Sequence, residues 1–559
     1  MTTLRRPRSL STTATTTPIR VLGLLQAILL ATTVLACKPA ADPGGGETDR
    51  QGAAPRRGGT LVVATQTDIG GVNELVSGTS AFSQDIIERM FLDLFEEQPD
   101  FTEHPPSFEP RLAESYEWSD DRLALTVRLR GGVTWSDGVP VTSEDVRWSW
   151  QAQTDPGVAW AYAQSKEAIT DVEVLDELTV RFHFERAYAT QMSDVNEGVV
   201  LPKHAWSALP FAQWPESEDW FRQHLIVNGP FKLASWRPQE EIVLERNETY
   251  FEADLPRLDK VVFRVVPERA LQVTQLLRQE LDFIPRVDAA DAARVDASDS
   301  VTLLPYWHRQ YTYLGWNTRH DLFSDAAVRR ALTLAIDRGA MVETLYQGFS
   351  RIGVSPIIQS VWAFNDSLQP WPYDPNQAGR QLAELGWIAG EDGVLLQGGR
   401  RFSFELGINA TSRSWRDAAT MIQEQLGRVG IEVQIRPMEF HALIARMEAH
   451  DYDAIIGSFG IDTSLDLKYA FHTDSIEDGY NFGSYSNPRV DQLIEEVKNQ
   501  LDPLEAGPML DEIQVILHHE QPFTFLWETR RLAAIRRGIR GADPNPVSTY
   551  YNLRDWWIE

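Results

Sequence analysis

We predict an α/β protein of two or three domains, from the length of the chain, from an alternating segment typical of a strand and from a helix-start signal that follows it. The 559 residues exceed what one hydrophobic core needs. Within residues 112–151, apolar residues alternate with polar ones over 123–129, which predicts a half-buried strand. Residues 142–145 then have the composition of a helix start, with a side-chain oxygen to cap free N–H groups and an acid at the positive end.

The first half of the chain continues this mixture of strands and helices. Residues 60–65 predict a first strand, and 171–184 predict two strands across an Asp-Glu turn. Further strands are predicted over 242–250 and 258–266. Amphipathic segments, typical of helices with one buried face, cover 82–95 and 270–280.

The second half carries clearer helix starts. Ser324 and Asp337 are predicted to cap two successive helices. Three later helices are predicted to begin at an Asp-Pro or Asn-Pro pair, because proline at the first helical position loses no hydrogen bond. These pairs are Asp374-Pro375, Asn487-Pro488 and Asp502-Pro503. Between them, 430–437 and 452–458 predict the strands of a second α/β lobe.

The N-terminus resembles the export signal of a bacterial lipoprotein. Four arginines precede an apolar run over 21–36 that is too short for a comfortable membrane span of ~20 residues. The run ends Val-Leu-Ala-Cys, which resembles a lipobox with Cys37 as the lipidated residue. The alternative is an ordinary signal peptide with an incidental cysteine. Residues 37–59, rich in Pro and Gly, predict a flexible tether.

Composition and missing motifs exclude several functions. A net charge of −28 argues against nucleic acid as a partner, since phosphate binding needs a basic surface. The sequence has no HExxH, GxSxG, P-loop or CxxC motif, so we predict no enzyme, no metal site and no cofactor. His518 and His519 are predicted to lie at a solvated helix end.

Several stretches resemble the bacterial extracellular solute-binding proteins of family 5, the peptide and oligopeptide receptors of ABC importers. The resemblance covers nearly everything after residue 60, in matching order, and its clearest segments are 112–151, 200–204, 228–233, 281–284, 311–348 and 480–487. It implies an α/β fold of the periplasmic-binding-protein type II-like class. Such a fold has two lobes with an extra inserted domain, and closes about a hinge around the ligand.

The resemblance also implies domain boundaries. We predict a lipoprotein signal peptide at 1–36 and a tether from lipidated Cys37 at 37–59. The first lobe would comprise 60–97 and 226–310, with an inserted accessory domain at 98–225. The second lobe would span 311–525, and the chain would return to the first lobe over 526–559.

The best candidate for ligand binding follows the strand predicted over 452–458. Ligands of α/β proteins bind at the carboxyl ends of strands. In peptide-binding members of the family, an Asp after an aromatic residue pairs with the amino terminus of the ligand, and Phe459 and Asp462 match that pattern. A carboxylate in a cleft binds an ammonium group through charge-assisted hydrogen bonds. The alternative is that Asp462 only begins a turn.

Other site candidates rest on looser matches to the family. Dipeptide-binding members use an arginine for the ligand carboxylate, and Arg413 lies in the corresponding segment, with Arg416 as its rival. Both are equally compatible with a solvated loop. Asn481 is a further candidate for the cleft, and Trp316 and Asn317 for its edge.

The two resemblances together imply a monomeric, membrane-anchored receptor outside the cytoplasm, in the periplasm or on the cell surface. It would capture di- or oligopeptides and deliver them to a membrane permease driven by ATPase subunits. Within the same fold, the ligand could instead be an oligosaccharide, an opine-like compound or a metal chelate. The functions from other classes are an exported hydrolase and a sensory receptor that does not transport.

Overall fold

The protein is described by a computed structural model over residues 54–77 and 80–559. The predicted signal peptide, Cys37 and residues 38–53 of the predicted tether lie outside these residues. The backbone N–H groups of Gly58 and Gly59 donate hydrogen bonds to the first lobe, to Arg257 O at 2.8 Å and to Asp259 Oδ2 at 2.9 Å. Within the described residues, no helix is both long and apolar enough to cross a membrane.

The strands are numbered in chain order. They are β1 Thr60–Thr65, β2 Phe95–Glu97, β3 Phe108–Pro110, β4 Ala113–Trp118, β5 Ala124–Leu129, β6 Ile169–Asp176, β7 Thr179–Phe184, β8 Phe231–Arg237, β9 Glu241–Arg246, β10 Lys260–Val265, β11 Phe283–Ile284, β12 Val301–Trp316, β13 Ser350–Ile352, β14 Ile388–Ala389, β15 Leu395–Gln397, β16 Arg400–Arg401, β17 Ser403–Asn409, β18 Glu432–Met438, β19 Ala454–Gly460, β20 Phe523–Arg536, β21 Ile539–Arg540 and β22 Trp557–Ile558.

The α-helices are numbered in the same way. They are α1 Glu74–Ser77, α2 Ala81–Ile87, α3 Ser143–Thr154, α4 Gln191–Asn196, α5 Lys203–Trp206, α6 Glu218–Gln223, α7 Arg269–Leu277, α8 Ala289–Asp296, α9 Ala326–Ala335, α10 Arg338–Tyr346, α11 Pro375–Glu384, α12 Arg413–Arg428, α13 Phe440–Glu448, α14 Lys468–Phe471, α15 Ser475–Asp478, α16 Pro488–Lys498 and α17 Gly507–Glu520. Short 3-10 helices cover Ala163–Lys166, Phe211–Glu216, Pro503–Ala506 and Leu553–Asp555.

One mixed sheet of eleven strands runs through both lobes. Its order is β18–β17–β19–β12–β20–β11–β1–β10–β9–β8, with β13 paired to β20. The second lobe contributes β17, which is parallel to both β18 and β19. The first lobe contributes β1, parallel to β10 and β11. The predicted α/β fold with two lobes is confirmed.

Two long antiparallel strands, β12 and β20, join the lobes. Their ladder shifts register between Trp307 and Tyr311 and again between Thr312 and Tyr313. Such irregularities bend a strand and increase its twist. The predicted boundaries after residues 310 and 525 both fall inside these strands, so the chain passes between lobes as continuous β-structure.

The inserted segment builds a second sheet against the first lobe. Its order is β4–β5–β7–β6, and Asp145 Oδ2 accepts a hydrogen bond from the Thr142 N–H at 2.9 Å at the start of α3. Trp135, Trp206 and Trp214 are fully buried in a core that also contains residues of β1 and β10. The insert and the first lobe thus share one hydrophobic core.

Helix starts in the second lobe follow local rules at all but one predicted position. Asp337 Oδ1 accepts from Ala340 N at 2.9 Å, and Asp374 and Asn487 cap α11 and α16. The predicted cap Ser324 is wrong. Asp325 accepts from the Ala327 N–H at 2.7 Å instead, whereas the Ser324 hydroxyl donates back to Asp321 O.

Two other local predictions differ from the structure. The helix predicted over 82–95 ends at Ile87, because the backbone that follows pairs with the returning segment: Gly229 N donates to Met90 O at 2.7 Å. His518 is buried rather than solvated. Its Nδ1 lies 3.2 Å from Val354 O, and its ring stacks on Trp371 at 5.6 Å.

Candidate functional site

A cavity of about 530 Å³ opens at the carboxyl end of β19. The ends of the parallel strands β17 and β19 meet at this edge of the sheet, which is where open α/β sheets bind ligands. The cavity is lined by Phe459, Gly460, Ile461, Asp462, Tyr469 and Tyr480. Two of the predicted site residues, Phe459 and Asp462, therefore lie together in one cavity.

The wall of the cavity is aromatic and held in place by the strands behind it. Phe459 stacks on Tyr313 with ring centroids 5.2 Å apart and meets Tyr469 edge-on at 5.4 Å. Tyr480, which is more than half exposed, contacts Tyr469 at 6.2 Å. Such a surface can pack against apolar side chains of a ligand, and the Tyr469 hydroxyl donates to Gly460 O at 3.3 Å.

Asp462 is the one acid among the residues that line this cavity. Its Oδ1 accepts hydrogen bonds from the Ser464 N–H at 3.1 Å and hydroxyl at 2.6 Å, so the predicted turn is present. None of the described residues forms an ion pair with it. Asp462 remains open to the cleft, yet the surrounding protein displaces enough water to raise the pKa of its carboxyl group, and the charge of Asp466 adds to the rise.

Two carboxylates at the end of α4, those of Asp194 and Glu197, lie within electrostatic reach of Asp462. Burial raises the pKa of Asp194 to about 6, and the charges of Glu197 and Asp462 add to this rise. Burial likewise raises the pKa of Glu197, again with a contribution from Asp462. Lys166 offsets part of this repulsion, while its Nζ donates to the backbone oxygens of Asp194 and Val195. The cleft is therefore negative where the end of α4 lies near Asp462.

A second cavity, of about 300 Å³, lies on the other face of the same strands. Ser458 lines it whereas Phe459 lines the first cavity, because consecutive strand residues point to opposite faces. Its charged side chains are three arginines, Arg286, Arg530 and Arg531, and one acid, Asp288. The two cavities thus differ in charge.

Three predicted site residues lie inside the second lobe. Trp316 is fully buried, and its indole N–H donates to Thr524 Oγ1 at 3.2 Å. Asn317 Nδ2 donates to two backbone oxygens, the shorter bond being 2.8 Å to Tyr452 O. Asn481 Nδ2 donates to Tyr485 O at 2.8 Å, and its Oδ1 accepts from the Tyr485 N–H at 3.0 Å. Their polar groups hold backbone segments together, and they line neither cavity.

The predicted arginines are also outside both cavities. Arg413 begins α12 with an exposed side chain, 3.6 Å from Asp417. Arg416, also exposed, donates to Ala410 O. The neighbours Ser412 and Ser414 do line the second cavity. The segment named by the resemblance therefore reaches the cleft, although its arginines point elsewhere.

Sequence reasoning missed the residues that the insert and the first lobe add to the site. Asp194, Glu197 and Arg286 lie more than 170 residues before Asp462 in the chain, and no local motif marks them. Tyr469 and Tyr480 follow Asp462 closely and could have been found as aromatic residues near the strand end. Among residues 54–77 and 80–559, no group of three or more potential ligands could hold a metal ion.

Comparison with known proteins identifies the family. A sequence model described as bacterial extracellular solute-binding proteins, family 5 Middle, matches residues 107–481. The oligopeptide-binding protein AppA of Bacillus subtilis (strain 168) is 29% identical over 510 residues, 90% of this chain and 92% of AppA. Its solved structure with a bound nonapeptide covers 90% of this chain and 100% of that one, with a TM-score of 0.75.

A second relative is named for a different ligand. Heme-binding protein A of Haemophilus influenzae (strain ATCC 51907 / DSM 11121 / KW20 / Rd) is 26% identical over 499 residues, 84% of this chain and 87% of the relative. Both relatives are named as binding proteins, and the family match covers well over half of the sequence. The chain belongs to the bacterial extracellular solute-binding proteins of family 5, as the motif resemblance predicted.

Proposed function

We propose that the protein is an extracytoplasmic receptor that captures di- or oligopeptides and delivers them to the permease of an ABC importer. The observation that carries this proposal is Asp462, a carboxylate at an aromatic cavity with no ion-pair partner in the described part of the chain. Asp194 and Glu197 add negative charge on the facing domain. The ammonium group of a peptide supplies the matching charge.

The relatives and the cavity support a peptide as the ligand. AppA is named as an oligopeptide-binding protein and was solved with a nonapeptide. A peptide main chain can bond to exposed strand backbone, which gives affinity without selecting side chains. The rings of Phe459, Tyr469 and Tyr480 offer a surface for the first apolar side chains of such a peptide.

Mass spectrometry of ligands that copurify with the natively produced protein tests the ligand class. We expect a mixture of short peptides with free amino termini. Finding only heme, a metal chelate, an oligosaccharide or an opine-like compound would contradict the peptide assignment. Cleavage of peptides or glycans that are incubated with the purified protein would instead indicate a hydrolase.

Asp462→Asn tests the position of the amino terminus. The change keeps the size of the side chain and removes its charge, so peptide binding should weaken by about 2 kcal/mol or more, roughly 30-fold. Isothermal titration calorimetry with one of the copurifying peptides measures the affinity of each variant. The control is Asp299→Asn, at an exposed aspartate that lines neither cavity. Equal affinities for wild type and Asp462→Asn would remove Asp462 from the site.

The anchor and the transport step have separate tests. Labelled palmitate should be incorporated into wild type, and Cys37→Ser should abolish the label and release the protein from membranes. Deleting the gene should reduce uptake of the copurifying peptides if the receptor serves an importer. Unchanged uptake in the deletion strain would favour a sensory role.

A further inference from the structure

His450 follows α13, and its ring reaches the backbone of a neighbouring segment, residues 476–484. Its Nδ1 lies 2.9 Å from Phe482 O, and its Nε2 lies 3.0 Å from Ile476 O. The backbone of His450 is itself held, because its carbonyl oxygen accepts from Asn317 Nδ2 at 3.0 Å. The ring therefore ties two points of the 476–484 segment to the body of the second lobe.

The two contacts together depend on the charge of the ring. A carbonyl oxygen only accepts hydrogen bonds, and a neutral imidazole has one N–H group whereas an imidazolium has two. His450 therefore satisfies both carbonyl oxygens only when it is protonated. Histidine is the side chain that ordinarily gains its proton between pH 8 and pH 5.

Two other histidines of the second lobe show a different arrangement. Nδ1 of His320 accepts from the Leu322 N–H at 3.2 Å, and Nδ1 of His472 accepts from the Asp474 N–H at 3.0 Å. A ring nitrogen that accepts a hydrogen bond carries no proton, so both rings fit the neutral form. His450, by contrast, has a carbonyl oxygen opposite each nitrogen.

Ser484 offers the neutral ring of His450 another partner. Its Oγ lies 3.1 Å from Nδ1. Once Nδ1 has lost its proton, the serine hydroxyl can donate to it, and Phe482 O is left without its donor. The same nitrogen thus binds Phe482 O in one state and the Ser484 hydroxyl in the other.

Charged side chains on the elements around His450 are engaged elsewhere. No ion pair of the described residues includes the ring, and Glu448 at the end of α13 is exposed. The other charged groups of these elements pair with one another: Arg446 with Asp451 and Glu405, Arg319 with Glu477, His320 with Asp453, and His472 with Asp474 and Glu495. The two carbonyl oxygens are therefore the groups that the proton on His450 affects directly.

Tyr480, which lines the first cavity, lies between the two carbonyl groups that His450 holds. Its N–H donates to Tyr469 O at 2.9 Å, and its ring meets that of Phe482 edge-on at 5.8 Å. More than half of the Tyr480 side chain is exposed, so its position depends on how firmly the backbone on either side is held.

We propose that His450 is a positioning residue for the first cavity: when protonated it holds the backbone on both sides of Tyr480, and when it loses its proton it releases Phe482 O. Only the role of this cavity as the ligand site rests on the proposed function. The wall that Tyr480 forms is accordingly better ordered in mild acid than at pH 8.

Amide hydrogen exchange on the ligand-free, full-length protein in mild detergent tests the hydrogen bonds. Rates are corrected for the intrinsic effect of pH on exchange, and α12 of the same lobe is the internal reference. Relative to α12, we expect the 476–484 segment of wild type to be protected about tenfold more at pH 5.5 than at pH 8. His450→Gln should remove this difference. His441→Gln, at an exposed histidine of α13, is the matched control and should keep it.

Peptide affinity tests the positioning role. The ratio of affinities between wild type and His450→Gln at one pH cancels the titration of the acids near Asp462; it should be about fivefold at pH 6 and within twofold at pH 8. If no peptide is captured, the proposed function fails, whereas the exchange result still decides the hydrogen bonds. Equal protection of the wild-type segment at both pH values would overturn the proposal and needs no variant to fold. An affinity ratio that is the same at both pH values would overturn the positioning role.

Discussion

Glu74 should make the protein more stable in mild acid than at pH 8, through one buried carboxyl group. The side chain is 6% exposed and accepts a hydrogen bond from the Val199 N–H at 2.9 Å. Burial, with smaller contributions from Glu88 and Glu197, raises its pKa from 4.5 to about 7, against the attraction of Lys166. Each pKa unit corresponds to about 1.4 kcal/mol, so ionised Glu74 destabilises the folded protein by about 3 kcal/mol.

Stability falls with rising pH because the folded protein holds the proton of Glu74 more tightly than the unfolded chain does. Because the pKa is raised on folding, the stabilisation by protonated Glu74 is complete below pH 4.5 and is lost as the pH rises through 7. Glu74→Gln keeps an oxygen for the Val199 N–H and cannot ionise. We therefore expect the variant to exceed wild type in free energy of unfolding by up to about 3 kcal/mol at pH 8, and by much less at pH 5.

Urea denaturation followed by tryptophan fluorescence, at pH 5 and pH 8, measures this difference. Glu117→Gln, at an exposed position of β4, is the matched control and should leave the pH dependence of wild type unchanged. If Glu74→Gln and wild type lose the same stability between pH 5 and pH 8, Glu74 does not carry a buried proton, and the reasoning is refuted.

Three further changes probe the cleft and the two lobes. Peptide affinity should fall about tenfold between pH 7 and pH 5, because protonation of Asp194, with its pKa of about 6, removes negative charge near Asp462. Titration calorimetry should show that the affinity of Asp194→Asn changes less with pH than that of wild type. Gly229→Ala should cost about 2 kcal/mol or more in urea denaturation, since a Cβ there would lie 2.5 Å from the backbone of Met90; wild-type stability would contradict the close approach. Arg329→Gln should lower stability by about 3 kcal/mol, as buried carbonyl groups lose their donors; a melting temperature within a degree of wild type would show that water replaces them.

Local sequence rules predicted the elements whose stability is local. The caps at Asp337, Asp374 and Asn487 follow from side-chain oxygens that reach N–H groups two or three residues later. The same rule misplaced the start of α9, because Ser324 and Asp325 are adjacent candidates and only the backbone angles of the loop decide between them. The end of α2 at Ile87 depends on pairing with a segment 140 residues later, which no local pattern contains.

The candidate site shows the same difference between residues that local sequence identifies and residues that only the tertiary fold brings together. The sequence pointed to Phe459 and Asp462 because they lie at a strand end and match a family pattern within four residues, and the structure places both at the first cavity. Asn317 and Asn481 occupy conspicuous motif positions. Both side chains are buried, however, and their amide groups donate to backbone carbonyl oxygens. The charge around the first cavity also depends on Asp194 and Glu197, which only the tertiary fold brings near Asp462.

The order of the strands bears on how the chain can fold. β20 lies between β12 and β11 at the centre of the main sheet, yet it begins at Phe523, near the end of the chain. A growing polypeptide therefore has more than 500 residues before either lobe can complete its sheet, and the edges of β11 and β12 stay unpaired until then. Such edges are prone to pair with other chains. We expect truncation before Phe523 to yield aggregates, and chaperones that bind unfolded segments to be most needed during late synthesis.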